Sequence, residues 1–284
     1  MILVTGATGK TGGELARQLT QADVPFSAIA RSREKAAALL DMEADVVYGD
    51  LSDRTFLSAA LAGIEKAVLI MPNVEDQLEI EKQFVDVAVE AGVQHIIYQS
   101  SMESVPGSTN PITSIHVATE EHIRASGLTW TMIRPGFFMQ TFAASAPRIK
   151  ESGNIVLPLG NATLCVTDLR DVAAVMVKVL TEPGHENKSY DITGPELITM
   201  EEVAARFSKI LGREYKYVDL PLDAFKGALK NAGFNDWRVN AVAAELKAVA
   251  SGSLDHTTNT VQELLGRAPH SIDDFISANA DLFR

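Results

Sequence analysis

From Ile2 to Ile133 the chain alternates short runs, apolar at both odd and even positions, with segments of helical periodicity. The runs are Ile2 to Val4, Phe26 to Ala30, Val46 to Tyr48, Ala67 to Ile70, His95 to Gln99 and Trp130 to Ile133. Helical patterns occupy Gly13 to Gln21, Glu34 to Leu40, Thr55 to Leu61 and Leu78 to Ala91. A strand with one wet face alternates apolar and polar residues, so runs apolar on both parities belong to a sheet covered on both sides. Strand–helix alternation makes that sheet parallel, and right-handed crossovers make it doubly wound. After Arg134 the rhythm changes to turns at Pro135-Gly136, Pro147, Gly153-Asn154 and Pro158-Leu159-Gly160, with helices that carry their own start signals. Thr199 before Met200-Glu201-Glu202 reads as a capping box. The expected architecture is an α/β protein: a doubly wound parallel-sheet domain over residues 1–150, which also receives elements from about 163–192, and a smaller helix-rich lobe over 151–284 packed against it.

The first strand runs into Thr5-Gly6-Ala7-Thr8-Gly9-Lys10-Thr11-Gly12 and then a helix. Such a junction gathers backbone N–H groups and the positive end of a helix dipole at one point, which suits a pyrophosphate. Gly6 permits the tight turn, Gly9 lets a phosphate approach the backbone, and Gly12 allows close packing of helix and strand. Lys10 either adds positive charge there or points to water. About twenty residues further on, a carboxylate would hold the ribose hydroxyls of NAD, whereas an arginine accommodates the 2′-phosphate of NADP. The chain reads Ala30-Arg31-Ser32-Arg33. A planar guanidinium binds two phosphate oxygens at once, so NADP(H) is expected in preference to NAD(H). The competing reading is a solvated arginine pair flanking Ser32 as a helix N-cap.

The net charge of −12 lacks long like-charge blocks and excludes an electrostatic footprint for nucleic acid or an anionic membrane. The lone Cys165 excludes an internal disulfide and reads as a small buried hydrophobe. The six histidines are scattered and no metal site is expected. No apolar stretch approaches the ~20 residues needed to span a bilayer, and no leader precedes the first strand, so a cytoplasmic monomer or homodimer is expected.

The Thr5 to Gly12 segment, with the spacing G-x-x-G-x-x-G, resembles the N-terminal motif of the extended and atypical short-chain dehydrogenase/reductase superfamily. More closely it resembles the NmrA-like branch, which includes NAD(P)H-dependent quinone reductases, triphenylmethane dye reductases and redox-sensing regulators without enzymatic activity. Segments Thr167 to Ala173 and Leu265 to Pro269, with Ser271, Ile272 and Phe275, carry the likeness on to about Phe275. The resemblance implies a Rossmann-type fold. It also implies that Asp50-Leu51 lies against an adenine, unless Asp50 merely caps the next helix, and that Met71-Pro72-Asn73 lines the cofactor ribose. The turn Pro135-Gly136, followed by Phe137, Phe138 and Met139, would place the nicotinamide and wall the acceptor site, or else begin ordinary core. Ser101, Phe234 and Trp237 are further candidates on the acceptor side.

The superfamily's usual Tyr-x-x-x-Lys pair is missing. At its place His116 and Glu120 stand one helical turn apart in Ile115-His116-Val117-Ala118-Thr119-Glu120. The phenol needed for reversible carbonyl chemistry is thus absent there; His-x-x-x-Glu at this place resembles the quinone and dye reductases of the NmrA-like branch, and that resemblance implies a flat, electron-poor aromatic acceptor: a quinone, or a dye that takes hydride at carbon. For such acceptors proximity and orientation supply most of the acceleration, without flavin or metal. His116 either positions or protonates the acceptor, or it only bonds a ribose or caps its helix; Glu120 either orients His116 or is solvated. The alternative function is a dinucleotide sensor that acts through a protein partner.

Overall fold

The computed structural model describes all 284 residues. Strands β1 (Ile2–Val4), β2 (Phe26–Ala30), β3 (Asp45–Tyr48), β4 (Lys66–Leu69), β5 (His95–Gln99) and β6 (Thr129–Pro135) alternate with helices α1 (Lys10–Gln21), α2 (Ala37–Asp41), α3 (Arg54–Ala60), α4 (Gln77–Glu90) and α5 (Pro111–Ala125). Next come β7 (Phe137–Phe138), α6 (Gln140–Ala144), α7 (Ala146–Ser152), β8 (Asn154–Leu157), β9 (Leu164–Thr167), α8 (Leu169–Thr181) and β10 (Lys188–Ile192). The chain continues through β11 (Leu197–Ile198), α9 (Met200–Leu211), β12 (Lys216–Asp219), α10 (Leu222–Asn231) and α11 (Asp236–Ala250), and short helices complete it.

The seven-stranded sheet has the order β10-β6-β5-β4-β1-β2-β3, and every pairing in it is parallel. Its first six strands follow the Rossmann order, with the direction of winding reversing between β1 and β4. The apolar runs serve both faces because successive side chains point to opposite sides. Ile2, Val4, Ala28, Val68, Ile97 and Ile133 enter one core, which is covered by α1 and α8. Leu3, Ile29, Leu69, Ile96, Tyr98 and Met132 enter the other, under α3, α4 and α5. This alternation also decides that Tyr98 faces α4 and α5. Just past the ends of β1 and β4, Thr5 ties the two strands together: its hydroxyl donates to Ile70 O at 2.9 Å and accepts from Ile70 N at 2.8 Å.

A third core belongs to the second lobe and includes Phe142, Ile149, Ile155, Leu164, Phe207, Leu246 and Phe275. The division expected at residue 150 runs through this cluster, since Phe142, Ala146 and Ile149 pack with residues that follow it. From the later segment, β10 joins the main sheet, whereas β9 pairs with β7 and β11 in the second lobe. Cys165 is buried there, 3.8 Å from the Met102 sulfur, and burial pushes its thiol up to about 12. No helix is long and apolar enough to cross a membrane.

Candidate active site

At the glycine turn, Gly6 takes the left-handed φ of +63° that the reversal needs, and a Cβ on it would lie 2.6 Å from Ile70 O. A Cβ on Gly12 would lie 2.3 Å from Gly6 O, so the start of α1 rests directly on the turn. Gly9 N donates back to Gly6 O at 2.8 Å, while the amides of Ala7, Thr8, Lys10, Thr11 and Gly12 donate to no protein acceptor. No side chain caps α1 and its first turn carries no acid. Unpaired donors on an uncapped, positive helix end form an anion site. Ala7 and Thr11 are buried and Thr8 exposed, so this stretch offers backbone more than side chains. Lys10 does not simply point to water: its Nζ crosses to the second lobe and donates to Gln140 O at 3.2 Å.

Arg31 follows β2 and Asp50-Leu51 follows β3, over the same edge of the sheet. Arg31 and Asp50 are exposed, whereas Leu51 packs against the α3–α4 core. Asp50 accepts from Ser52 N and Ser52 Oγ; those bonds, and further off the charge of Arg31, hold it below the usual carboxylate range. The cap of α3 is Asp53 and not Asp50. Ser32 Oγ accepts from Lys35 N at 3.3 Å, a capping bond on the turn that leads into α2, whose regular helix starts at Ala37 with Ala36 as its cap.

Between the sheet edge and the second lobe lies a cleft of about 760 Å³. Met71, Asn73, Gln99, Ser101 and His116 line it from the sheet side, with Lys10 and the run Pro135 to Phe138. Phe142, Ile149, Leu157, Phe225, Leu246 and Leu254 face them from the second lobe. Gly136 sits so close to β9 that a Cβ would lie 2.7 Å from Cys165 Sγ. Gln99 Oε1 is buried here without a partner, an acceptor waiting for a donor.

Three sequence expectations change. Met139 does not wall the cleft: it is fully buried in the second-lobe core, its N–H donating to Thr167 O at 2.9 Å, because the chain turns inward after β7. Trp237 does not line the cleft either; Phe234 and Arg238 do, on either side of the N-terminus of α11, and Arg238 donates to Asn73 O. Pro72 is exposed outside the cleft while its neighbours Met71 and Asn73 line it.

Glu103, Arg238 and Glu245, which also line the cleft, and Tyr98 and Glu81, which lie in a hydrogen-bonded row behind His116, were not singled out by the sequence. Tyr98 was legible in principle, since its parity in β5 aims it at α5; the others depend on contacts between distant elements.

Glu120 also departs from expectation. It makes no hydrogen bond to His116 and is 1% exposed, so it is not solvated. Arg134 Nε donates to Glu120 Oε1 at 2.7 Å while Arg134 Nη2 binds Oε2, Arg124 donates to Oε2 at 2.6 Å, and Ser100 Oγ donates to Oε1 at 2.6 Å. Burial alone would raise the acid, but the bonds from Arg134 and Ser100 and the charge of Arg134 hold it below the usual carboxylate range. His116 is 7% exposed, and burial lowers it to about 4, so the ring is neutral at ordinary pH. It caps no helix: α5 starts at Pro111 with Asn110 as its cap.

Sheet order, uncapped turn and covered edge together define a two-lobed protein of the Rossmann type. The profile of the NmrA-like family matches residues 1–276, and the chain belongs to that family. It is 36% identical over 284 residues to the NAD(P)H azoreductase of Xenophilus azovorans, with 100% of this chain and 99% of that protein covered. Its structure is similar to that of the NADPH-dependent quinone oxidoreductase of Escherichia coli complexed with NADPH, at a TM-score of 0.88 and 29% identity over 98% of this chain and 99% of that one. The triphenylmethane reductase of Citrobacter sp. complexed with NADP(H) matches at 0.85 and 30% identity, over 97% and 99% of the two chains.

Proposed function

We propose that the protein is an NADPH-dependent reductase of quinones and similar flat, electron-poor aromatics, including azo and triphenylmethane dyes. The observation that carries this reading is a single cleft that begins beside unpaired amides and ends against an aromatic and aliphatic wall. The residues present fit a dinucleotide: the turn has free donors, a cradle that a Cβ would fill at Gly6 and Gly12, and an orphaned acceptor at Gln99. When bound, the reduced nicotinamide supplies a hydride.

The turn from Gly6 through Ala7, Thr8, Gly9, Lys10 and Thr11 would hold the pyrophosphate, Arg31 the 2′-phosphate, and Asp50 with Leu51 the adenine. Met71, Pro72 and Asn73 would border the ribose, Pro72 through its backbone. Pro135, Gly136, Phe137 and Phe138 would position the nicotinamide end. Ser101 and His116 face the acceptor from the sheet side, with Phe142, Phe225 and Phe234 opposite. Aromatic walls stack a planar acceptor and exclude water, so orientation contributes most of the acceleration. The azoreductase, quinone oxidoreductase and dye reductase names of the similar proteins support this acceptor class.

The reading is tested by NADPH consumption against a panel of quinones, azo dyes and triphenylmethane dyes: turnover with at least one class is expected, and none with any class overturns it. An Arg31→Ala variant is expected to lose about 10- to 100-fold of the preference for NADPH over NADH, the equivalent of a charge-assisted bond of about 1.5–3 kcal/mol. Paired KM measurements check it. An unchanged preference removes Arg31 as its source.

A further inference from the structure

Behind the cleft, three side chains from three elements form a hydrogen-bonded row. His116 Nδ1, on α5, lies 2.7 Å from Tyr98 Oη, on β5, and Tyr98 Oη lies 2.9 Å from Glu81 Oε2, on α4. Glu81 also accepts from Gln77 Nε2 at 2.8 Å and from Thr119 Oγ1 at 2.7 Å. Tyr98 and Glu81 are fully buried, whereas His116 lines the cleft. The far ring nitrogen, His116 Nε2, has no protein partner and is not sealed from the cleft. The row therefore has one open end, on the side where an acceptor would sit, and one closed end at a carboxyl group.

We propose that His116, Tyr98 and Glu81 form a proton relay which delivers a proton to an acceptor held in the cleft, with Glu81 as its buried source. The proposal rests on the reductase reading above. When a quinone has taken hydride, it carries an anionic oxygen. The Nε2–H bond of neutral His116 breaks and its proton passes to that oxygen; Nδ1 takes the hydroxyl proton of Tyr98, and Tyr98 Oη takes the carboxyl proton of Glu81. Each N–H or O–H bond broken is matched by one formed, no electrons pass along the row, and the negative charge moves from the acceptor to Glu81. Quinone, hydride and this proton together make the hydroquinone. Afterwards the Gln77, Thr119 and Tyr98 donors hold the Glu81 carboxylate, and water entering the cleft returns a proton by the same row.

The arrangement resolves a difficulty at His116. Its burial, which lowers the ring to about 4, denies it a proton of its own to give at neutral pH. A neutral imidazole still donates from Nε2 if Nδ1 is resupplied in the same step, and Tyr98 stands there. Burial raises Glu81 to about 7, so it holds a proton near neutrality and can release it. No charged group presses on Glu81 itself: its neighbours are Gln77, Thr119 and Tyr98. The nearest acid on α5, Glu120, is bound by Arg134, Arg124 and Ser100 and acts on His116 and Tyr98 only through its charge.

Acceptor chemistry separates the relay from a structural role. A quinone needs the proton; a cationic triphenylmethane dye takes hydride at carbon and needs none. Glu81→Gln keeps shape and a donor to Tyr98 but has no proton to release, and Tyr98→Phe breaks the row in the middle. In single turnovers with NADPH-loaded protein, each variant is expected to lower the ratio of quinone rate to dye rate by about 100-fold, the size of a general-acid contribution. In the parent, the quinone rate should fall as pH rises through about 7, because Glu81 then loses its proton, while the dye rate does not follow. Nitrogen-15 histidine NMR gives a readout without turnover: His116 should pass from the Nε2–H to the Nδ1–H tautomer over the same range, remaining neutral, and Glu81→Gln should abolish the change. Equal losses with quinone and dye, or a tautomer indifferent to pH, overturn the relay alone. A parent protein that reduces neither acceptor overturns the reductase reading and the relay's role with it.

Discussion

A Gly12→Val variant is expected to bind NADPH about 100-fold more weakly than the parent and to lose roughly 1–3 kcal/mol of stability. The cause is geometric. A side chain at position 12 starts 2.3 Å from Gly6 O and 2.6 Å from Gly6 C, and both are backbone atoms that no rotamer change moves. Either α1 lifts from the turn or the turn opens, and in both cases the free amides of Ala7, Thr8, Lys10, Thr11 and Gly12 lose their arrangement. Losing two charge-assisted bonds of about 1.5 kcal/mol each already accounts for the weaker binding. Gly227→Ala, within α10, is the control: nothing lies within 4 Å of the added Cβ, so it should gain about 0.5–1 kcal/mol of helix stability and leave binding alone. Fluorescence titration with NADPH and urea denaturation measure both effects. Parent-like affinity in Gly12→Val would remove the turn from the cofactor site.

Replacing Glu120 by alanine is expected to cost about 3 kcal/mol or more. The carboxylate is 1% exposed and joins three elements: Arg134 at the end of β6, Arg124 on α5 and Ser100 after β5. Without it the half-buried Arg134 guanidinium keeps its desolvation cost and loses its main partner. Glu120 sits below the usual carboxylate range when folded, so its contribution is present above the unfolded pKa and is lost as pH falls through the folded one. The gap in stability between parent and Glu120→Ala should therefore narrow in acid, below about pH 4. A gap that stays constant down to strong acid would contradict the ion-pair account.

These two residues mark how far the sequence could be read. The sheet and the turn were legible because their causes are local: parity of the apolar runs, and glycines at a strand–helix junction. The spacing of His116 and Glu120 correctly put them on one face of α5, yet their partners from other elements, Tyr98, Ser100 and Arg134, lie on or just after β5 and on β6, and no periodicity names those. Met139 and Trp237 were misplaced for the same reason. An aromatic or sulfur-containing side chain after a turn lines a cleft or fills a core according to how the second lobe closes, and that is settled by packing between distant segments. Phe234, already a candidate from the sequence, and Arg238 hold the cleft positions, three residues before and one residue after Trp237.

The most direct test of the central claim follows the hydrogen itself. NADPH carrying deuterium at the transferable position of the nicotinamide should be mixed in a single turnover with flavin-free protein and a cationic triphenylmethane dye. Direct transfer predicts deuterium on the central carbon of the colourless product, one for each NADPH oxidised. Bleaching with solvent hydrogen at that carbon, or no bleaching with this dye or any quinone, would contradict a cleft built to hold donor and acceptor in contact.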